Sequence, residues 1–153
     1  MDRDRIERET VIDAPIERVW EVLTEAQHLG RWFGDAGAQV ELRPNGRMLL
    51  HWTEHGTAYG RVERVDPPRF FSYRWVSGLF PGATEPADGN STLVEFTLER
   101  EGEATRLRVV ESGFALLEAP EEEQRTRFEL NEEGWEIKFA QLEEYVQRAP
   151  AQG

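Results

Sequence analysis

Three kinds of side chain in this sequence could carry chemistry: an acid in an apolar setting, a set of rings with polar handles, and two histidines four residues apart. Glu111 closes the run 105–111, in phase with Leu107 and Val109, so the alternation of a strand puts a carboxyl group on the apolar face. An acid there must be paired, protonated or beside a wet cavity, because burying it alone is very costly. Arg61, in phase with Tyr59 on another run, is the candidate partner. A carboxyl so placed could orient a ligand or move a proton; the other reading is a structural pair or a strand end in water. Trp52, Tyr59, Tyr73 and Trp75 combine apolar area with hydroxyl or N–H groups that could orient a bound molecule, or they are ordinary core. His51 and His55 have the spacing of a helical zinc pair, but the residues around them read as strand and turn. Four strand residues span about 13 Å, too far to share a metal. His28, near the first helical pattern, reads as a polar surface residue. No metal or cofactor is expected, and no nucleophile elbow, phosphate loop or dinucleotide-binding glycine pattern occurs.

The elements that must position these residues follow from periodicity. A strand through Thr10, Val11 and Ile12 hands over at Asp13-Ala14-Pro15 to a helix, with Asp13 suited to cap it and Pro15 to its first turn. Ile16, Val19, Trp20, Val22 and Leu23 recur at helical spacing, and Leu29, Trp32 and Phe33 make a second short helix, stopped by Gly34 and Gly37. Alternating runs follow at 38–42, 48–52, 57–65, 69–76, 92–99 and 105–111, joined by turns such as Pro44-Asn45-Gly46 and Asp66-Pro67-Pro68. The stretch 77–89, with two prolines and three glycines, reads as an irregular loop. From Pro120 to Pro150 helix formers dominate, and Trp135, Phe139, Leu142 and Val146 stack along one side. These two rings are expected to pack on the sheet, with Gly134 allowing a close backbone approach. Ten glutamates between 118 and 144 face three basic residues, which reads as a solvated side or as an acidic docking surface.

Composition bounds the rest. With 153 residues, one core is expected: a single domain over 1–148 and a frayed tail over 149–153. The absence of cysteine removes disulfides and thiolate chemistry. Eighteen basic against thirty acidic residues, a net charge of −12, argue against nucleic acid and anionic membranes as partners. No stretch is long and apolar enough for a membrane span or signal peptide, so a cytoplasmic protein is expected. Seventeen Arg against one Lys suggest a bacterium with a GC-rich genome.

Short turns between the middle strands imply an antiparallel sheet. Seven twisted strands curl, and one helix about 10 Å across does not fill the concave side. The fold class is therefore α+β, a curved seven-stranded antiparallel sheet around a long C-terminal helix with two short helices between strands 1 and 2, and a gap between sheet and helix. The segment 60–69, Gly-Arg-Val-Glu-Arg-Val-Asp-Pro-Pro-Arg, followed by Trp75, Val110-Glu111-Ser112-Gly113-Phe114 and Gly134-Trp135, resembles the activator of heat-shock-protein-90 ATPase homologue-like family. So does the opening Ile12-Asp13-Ala14-Pro15 with Val19-Trp20 and Trp32-Phe33. That family lies in the START-like (SRPBCC) superfamily, with the helix-grip fold of the birch pollen allergen. The resemblance implies a deep cavity for a small hydrophobic or aromatic ligand such as a lipid or polyketide, lined here by Trp32, Trp52, Tyr59, Arg61, Tyr73, Trp75, Phe96, Val109, Glu111, Phe114, Trp135 and Phe139. Two other functions compete with binding: a cyclase-like or hydrolytic reaction in which Glu111 or Tyr73 moves a proton, and a chaperone-binding module using the acidic helix, like the co-chaperones that activate the chaperone's ATPase. A stress-response role would follow from the last. An edge strand or the loop 77–89 would serve a homodimer.

Overall fold

The structure is a computed structural model that describes residues 5–54, 56–76, 86 and 89–148; His55, most of the expected loop 77–89 and the expected tail 149–153 lie outside these residues. Seven strands form one sheet: β1 (Arg5–Ile12), β2 (Ala38–Val40), β3 (Arg47–Trp52), β4 (Gly56–Asp66), β5 (Phe70–Val76), β6 (Thr92–Glu101) and β7 (Ala104–Ser112). Their order is β1-β7-β6-β5-β4-β3-β2, and every pairing is antiparallel. Three α-helices accompany it: α1 (Ile16–Thr24), α2 (Ala26–Trp32) and the long α3 (Glu121–Arg148), with a single 3-10 turn at Phe114–Leu116 before α3. This is the α+β helix-grip arrangement, with two short helices between the first two strands.

Period-two alternation sorts each strand into an inner and an outer face. Directly paired residues share a face, so the register defines rows across the sheet. One inner row runs Ile6, Glu111, Val94, Tyr73 and Val62; the next runs Thr92, Trp75, Gly60 and Met48. The outer face of β1 and β7 carries charge instead, with Arg106 bonded to Glu9 at 2.9 Å and to Glu101 at 2.6 Å. A β-bulge between Val62 and Arg64 shifts the alternation so that Val65, paired with Phe71, packs against the core again.

α1 starts without a side-chain cap: Pro15 is the N-cap, and its carbonyl accepts the N–H groups of Arg18 and Val19 at 3.0 and 3.1 Å. The expected capping role of Asp13 is thus not used, because Pro15 occupies the flanking position rather than the first turn. α3 lays Phe128, Trp135, Phe139, Leu142 and Val146 against the sheet, spaced by three, four and seven residues so that one side of the helix is apolar. Glu129, Glu132, Glu133 and Glu136 lie on its exposed side. Among the described residues no helix is long and apolar enough to cross a membrane.

Candidate functional site

The inner face of the sheet meets α3 through two linked groups of side chains. The first is centred on Glu111, which is completely buried. Its Oε1 accepts the Trp135 indole N–H at 2.7 Å and the Asn131 amide at 3.2 Å. Its Oε2 accepts the Trp75 indole N–H at 2.9 Å, the Thr92 hydroxyl at 2.5 Å and the same Asn131 amide at 3.0 Å. Donors from β5, β6 and α3 therefore converge on a residue of β7. Burial pushes the Glu111 carboxyl above its ordinary value, while the four donors, Thr92 foremost, favour the ionised form and offset part of that rise. A carboxylate offers about four lone-pair directions, and these contacts occupy them.

The expected partner, Arg61, is elsewhere. Tyr59 pairs with Val76 and Arg61 with Arg74, which puts both on the outer face, opposite to Gly60 and Trp75. The guanidinium of Arg61 donates to the Pro86 carbonyl at 3.2 Å and helps line a surface groove of about 460 Å³ with Gln39, Glu41, Asn45 and Arg47. The inversion has a packing cause. The inward residues of β4 are the small Ala58, Gly60 and Val62, because the large inner side chains of β3 and β5 need the room. A Cβ on Gly60 would come within 3.3 Å of the Met48 Cβ.

The second group is a box of indoles around Phe33. The Phe33 ring stacks on Trp32 with centroids 5.1 Å apart, and lies 5.8 Å from Trp52, 5.4 Å from Trp75 and 5.5 Å from Trp135. Trp75 and Trp135 thus serve both groups, binding Glu111 by their N–H edges and Phe33 by their rings. The Phe33 carbonyl, at the end of α2, accepts the Trp52 indole N–H at 2.9 Å and the Lys138 ammonium at 2.7 Å. Burial pushes the Lys138 amine below its ordinary value, and Asp35 opposes that shift.

Tyr73 stands between the groups, in the same row as Glu111 with Val94 between them. Its ring touches Phe71, Trp75 and Phe96. Its hydroxyl is buried and has no hydrogen-bond partner among the described residues; burial, and then the charge of Glu111, push it well above its ordinary value, so it is protonated. Phe96 meets Trp135 edge-on at 5.8 Å, Phe139 meets Trp135 at 6.3 Å, Phe114 packs on Phe128 at 5.3 Å, and Val109 is fully buried. Where a wide gap was expected, these described rings are in mutual contact. Beside the partners of Glu111 a cavity of about 10 Å³, lined among others by Thr92, Asn90 and Asn131, has room for a single water molecule.

Thr92 and Asn131 escaped the sequence reading. Asn131 lies four residues before Trp135, in the apolar stripe of α3, and a lone polar residue in such a stripe was the available signal. Thr92 opens its strand and resembles turn composition. Two other readings are corrected. His28 is buried, with Nδ1 and the Tyr145 hydroxyl hydrogen-bonded at 2.7 Å, because α2 docks on α3. A Cβ on Gly134 would meet nothing within 4 Å, so no close approach requires that glycine. His51 is hydrogen-bonded through Nδ1 to Thr57 at 2.9 Å.

The family model of the activator of Hsp90 ATPase homolog 1-like proteins matches residues 13–147. The chain belongs to this family. Among solved structures, the family's fold recurs in protein MLL2253 from Mesorhizobium loti, at 25% identity and TM-score 0.77 over 95% of this chain and 98% of that one. DynU16, from the dynemicin biosynthetic locus, matches at 22% identity and TM-score 0.74 over 95% of this chain; the match spans 48% of DynU16. The Aha1 dimer from Colwellia psychrerythraea matches at 14% identity and TM-score 0.71 over 94% of this chain and 96% of that one. No curated protein matches the chain.

Proposed function

We propose that this protein binds a small apolar or aromatic molecule between its sheet and α3, as a single domain over residues 1–148. The observation that carries the reading is the Tyr73 hydroxyl, buried in a wall of rings without a partner among the described residues. An interior hydroxyl left unpaired costs about 1–3 kcal/mol, which an acceptor atom on a bound molecule returns. Likeness to a protein from a biosynthetic locus is in keeping with a small-molecule ligand. Glu111 has less to offer as a proton carrier, because its acceptor positions are engaged by four side chains. Native mass spectrometry against lipids, flavonoids and polyketides, with tryptophan fluorescence as a second readout, is expected to find at least one saturable binder at one molecule per chain. Tyr73→Phe is expected to weaken that binder by about tenfold, the equivalent of one hydrogen bond. A screen without any saturable binder overturns the proposal. The dimeric state of the Colwellia relative supports a homodimer for this chain as well, which light scattering on the purified protein decides.

A further inference from the structure

The outer face of the sheet, away from α3, carries a row of three like charges. Arg47 pairs with Arg61 across β3 and β4, and Arg61 pairs with Arg74 across β4 and β5. Directly opposed residues hold their Cβ atoms about 5 Å apart, and like charges so placed destabilise a sheet. Elsewhere on this face arginines are answered by acids: Arg106 bonds Glu9 and Glu101, and Arg108 bonds Glu7. Along the row the acids do less. Glu63 lies 3.9 Å from the Arg61 Nε, and Glu41 is engaged by the main chain, its Oε1 accepting the Arg47 N–H at 2.8 Å. Arg74 has no ion pair among the described residues. A chain with a net charge of −12 thus gathers three guanidinium groups on one line.

Two members of the row, Arg47 and Arg61, open onto the groove of about 460 Å³ that Gln39, Glu41 and Asn45 also line, a volume within the range of small-molecule sites. One wall of it is fixed by the main chain. Asn45, at φ 67°, donates its N–H to the Val62 carbonyl at 2.7 Å, and Val62 donates back to the Gly46 carbonyl at 2.8 Å. A Cβ on Gly46 would come within 2.0 Å of the Glu41 carbonyl oxygen, so the turn closes tightly there. The turn 43–46 is therefore tied to β4, and it holds Asn45 at the groove. Arg61 is oriented by its bond to the Pro86 carbonyl at 3.2 Å, which uses one of the five N–H donors of a guanidinium.

We infer that this groove is a binding site for a small phosphorylated sugar or polyol, with the phosphate on the arginine row. A phosphomonoester carries a charge of about −1.5 to −2 at neutral pH, which a pair of guanidinium groups matches and a single one does not. Planar N–H forks also fit phosphate oxygens two at a time. The rest of the lining suits hydroxyl groups: the Glu41 carboxylate accepts them, and the amides of Gln39 and Asn45 both accept and donate. A long polyanion such as nucleic acid is opposed by the charge of the whole chain, whereas a small ligand meets only the groove. The site lies on the opposite face of the sheet from the apolar site proposed above, so the two readings stand or fall separately.

The test titrates the full chain with ribose 5-phosphate, inorganic phosphate and ribose at constant ionic strength, read by amide NMR. Ribose 5-phosphate is expected to bind saturably and to shift the amides of Gln39, Asn45, Arg47 and Arg61 while the indole N–H groups of Trp75 and Trp135 stay in place. Inorganic phosphate should act on the same residues about tenfold more weakly, and ribose alone should not bind. Arg61→Gln is expected to weaken ribose 5-phosphate by about tenfold or more, and Arg74→Gln by a smaller factor. Arg108→Gln, on the same face but paired with Glu7, should leave it unchanged; equal losses in all three variants would mean general attraction and no site. Arg61→Gln also removes a like-charge contact, so its melting temperature at low salt without ligand should equal or exceed that of the wild type. A lower one would show that Arg61 serves the fold, and overturns its assignment. Equal affinities for the two phosphates overturn the sugar assignment, and the absence of a saturable shift with either overturns the whole inference.

Discussion

Glu111 and Phe33 anchor two neighbouring regions of one interface that share Trp75 and Trp135, yet their polar groups are satisfied in opposite ways. Around Glu111 the acceptor is a side chain fully buried on a central strand, and its donors come from three other elements. Removing the acceptor strands several donors at once. Around Phe33 the acceptor is one main-chain oxygen at the end of a seven-residue helix, and any oxygen in that place serves the same donors. The first region ties strands and helix together through one side chain; the second is placed by the main chain that follows α2, where the N–H groups of Asp35 and Ala36 donate to the His51 carbonyl and the Asp35 carboxylate accepts the Thr53 N–H at 2.7 Å. Tyr73 lies between them, with a hydroxyl that neither region uses.

The sharpest way to break this contrast is Glu111→Leu. It leaves the N–H groups of Trp75, Trp135 and Asn131 buried without their acceptor, at about 1–3 kcal/mol each, so a loss of roughly 4–6 kcal/mol in urea unfolding is expected. A loss below about 1 kcal/mol would mean that the carboxyl ties nothing together. Tyr73→Phe should move the other way, raising the stability of the ligand-free protein by about 1 kcal/mol, because it deletes an unpaired buried hydroxyl without opening a cavity. Destabilisation by that amount would reveal a partner and remove the observation behind the proposed function.

Acidity sharpens the comparison further. The Glu111 carboxyl has its pKa raised above 4.5 in the folded chain, so the fold favours its neutral form. Its contribution to stability is complete below 4.5 and is lost as pH rises through the raised value. Wild-type stability measured from pH 4.5 upward should therefore decline relative to Glu111→Gln, which has no such group; parallel curves would contradict the shift. His28 runs the opposite way. Burial, and then the charge of Arg18, hold it below 6.5, so its neutral form is the native one. Stability from this group is present above 6.5 and falls as pH drops through the lowered value. The smallest expected effect is Tyr145→Phe, a loss of about 1 kcal/mol in urea unfolding from the one hydrogen bond to His28 between α2 and α3.

Several of these features were legible before any coordinates. The phase of Glu111 with Leu107 and Val109 already placed an acid on an apolar face, and the spacing of Trp135, Phe139, Leu142 and Val146 already implied a helix with one buried side. Both follow from local periodicity, which the backbone geometry enforces. The inward side of β4 was not legible. Its inner residues are small and its outer ones include Tyr59 and Arg61, so hydrophobicity points the wrong way when space on the inner face is claimed by neighbours such as Met48 and Trp75. The bulge at Val62 and Arg64 adds a second break in the pattern.

Local pattern alone thus determined the element order, the antiparallel curved sheet and the helix laid across it, because periodicity, turn chemistry and short connections are properties of neighbours in the chain. Which side chains answer one another was decided only by the tertiary structure. Trp75, Thr92, Asn131 and Trp135 lie between 19 and 36 positions from Glu111, and Lys138 lies 105 positions from Phe33. Hydrogen-bond direction and ring packing depend on distances of a few ångströms, and those distances exist only once sheet register and helix docking have brought remote segments together.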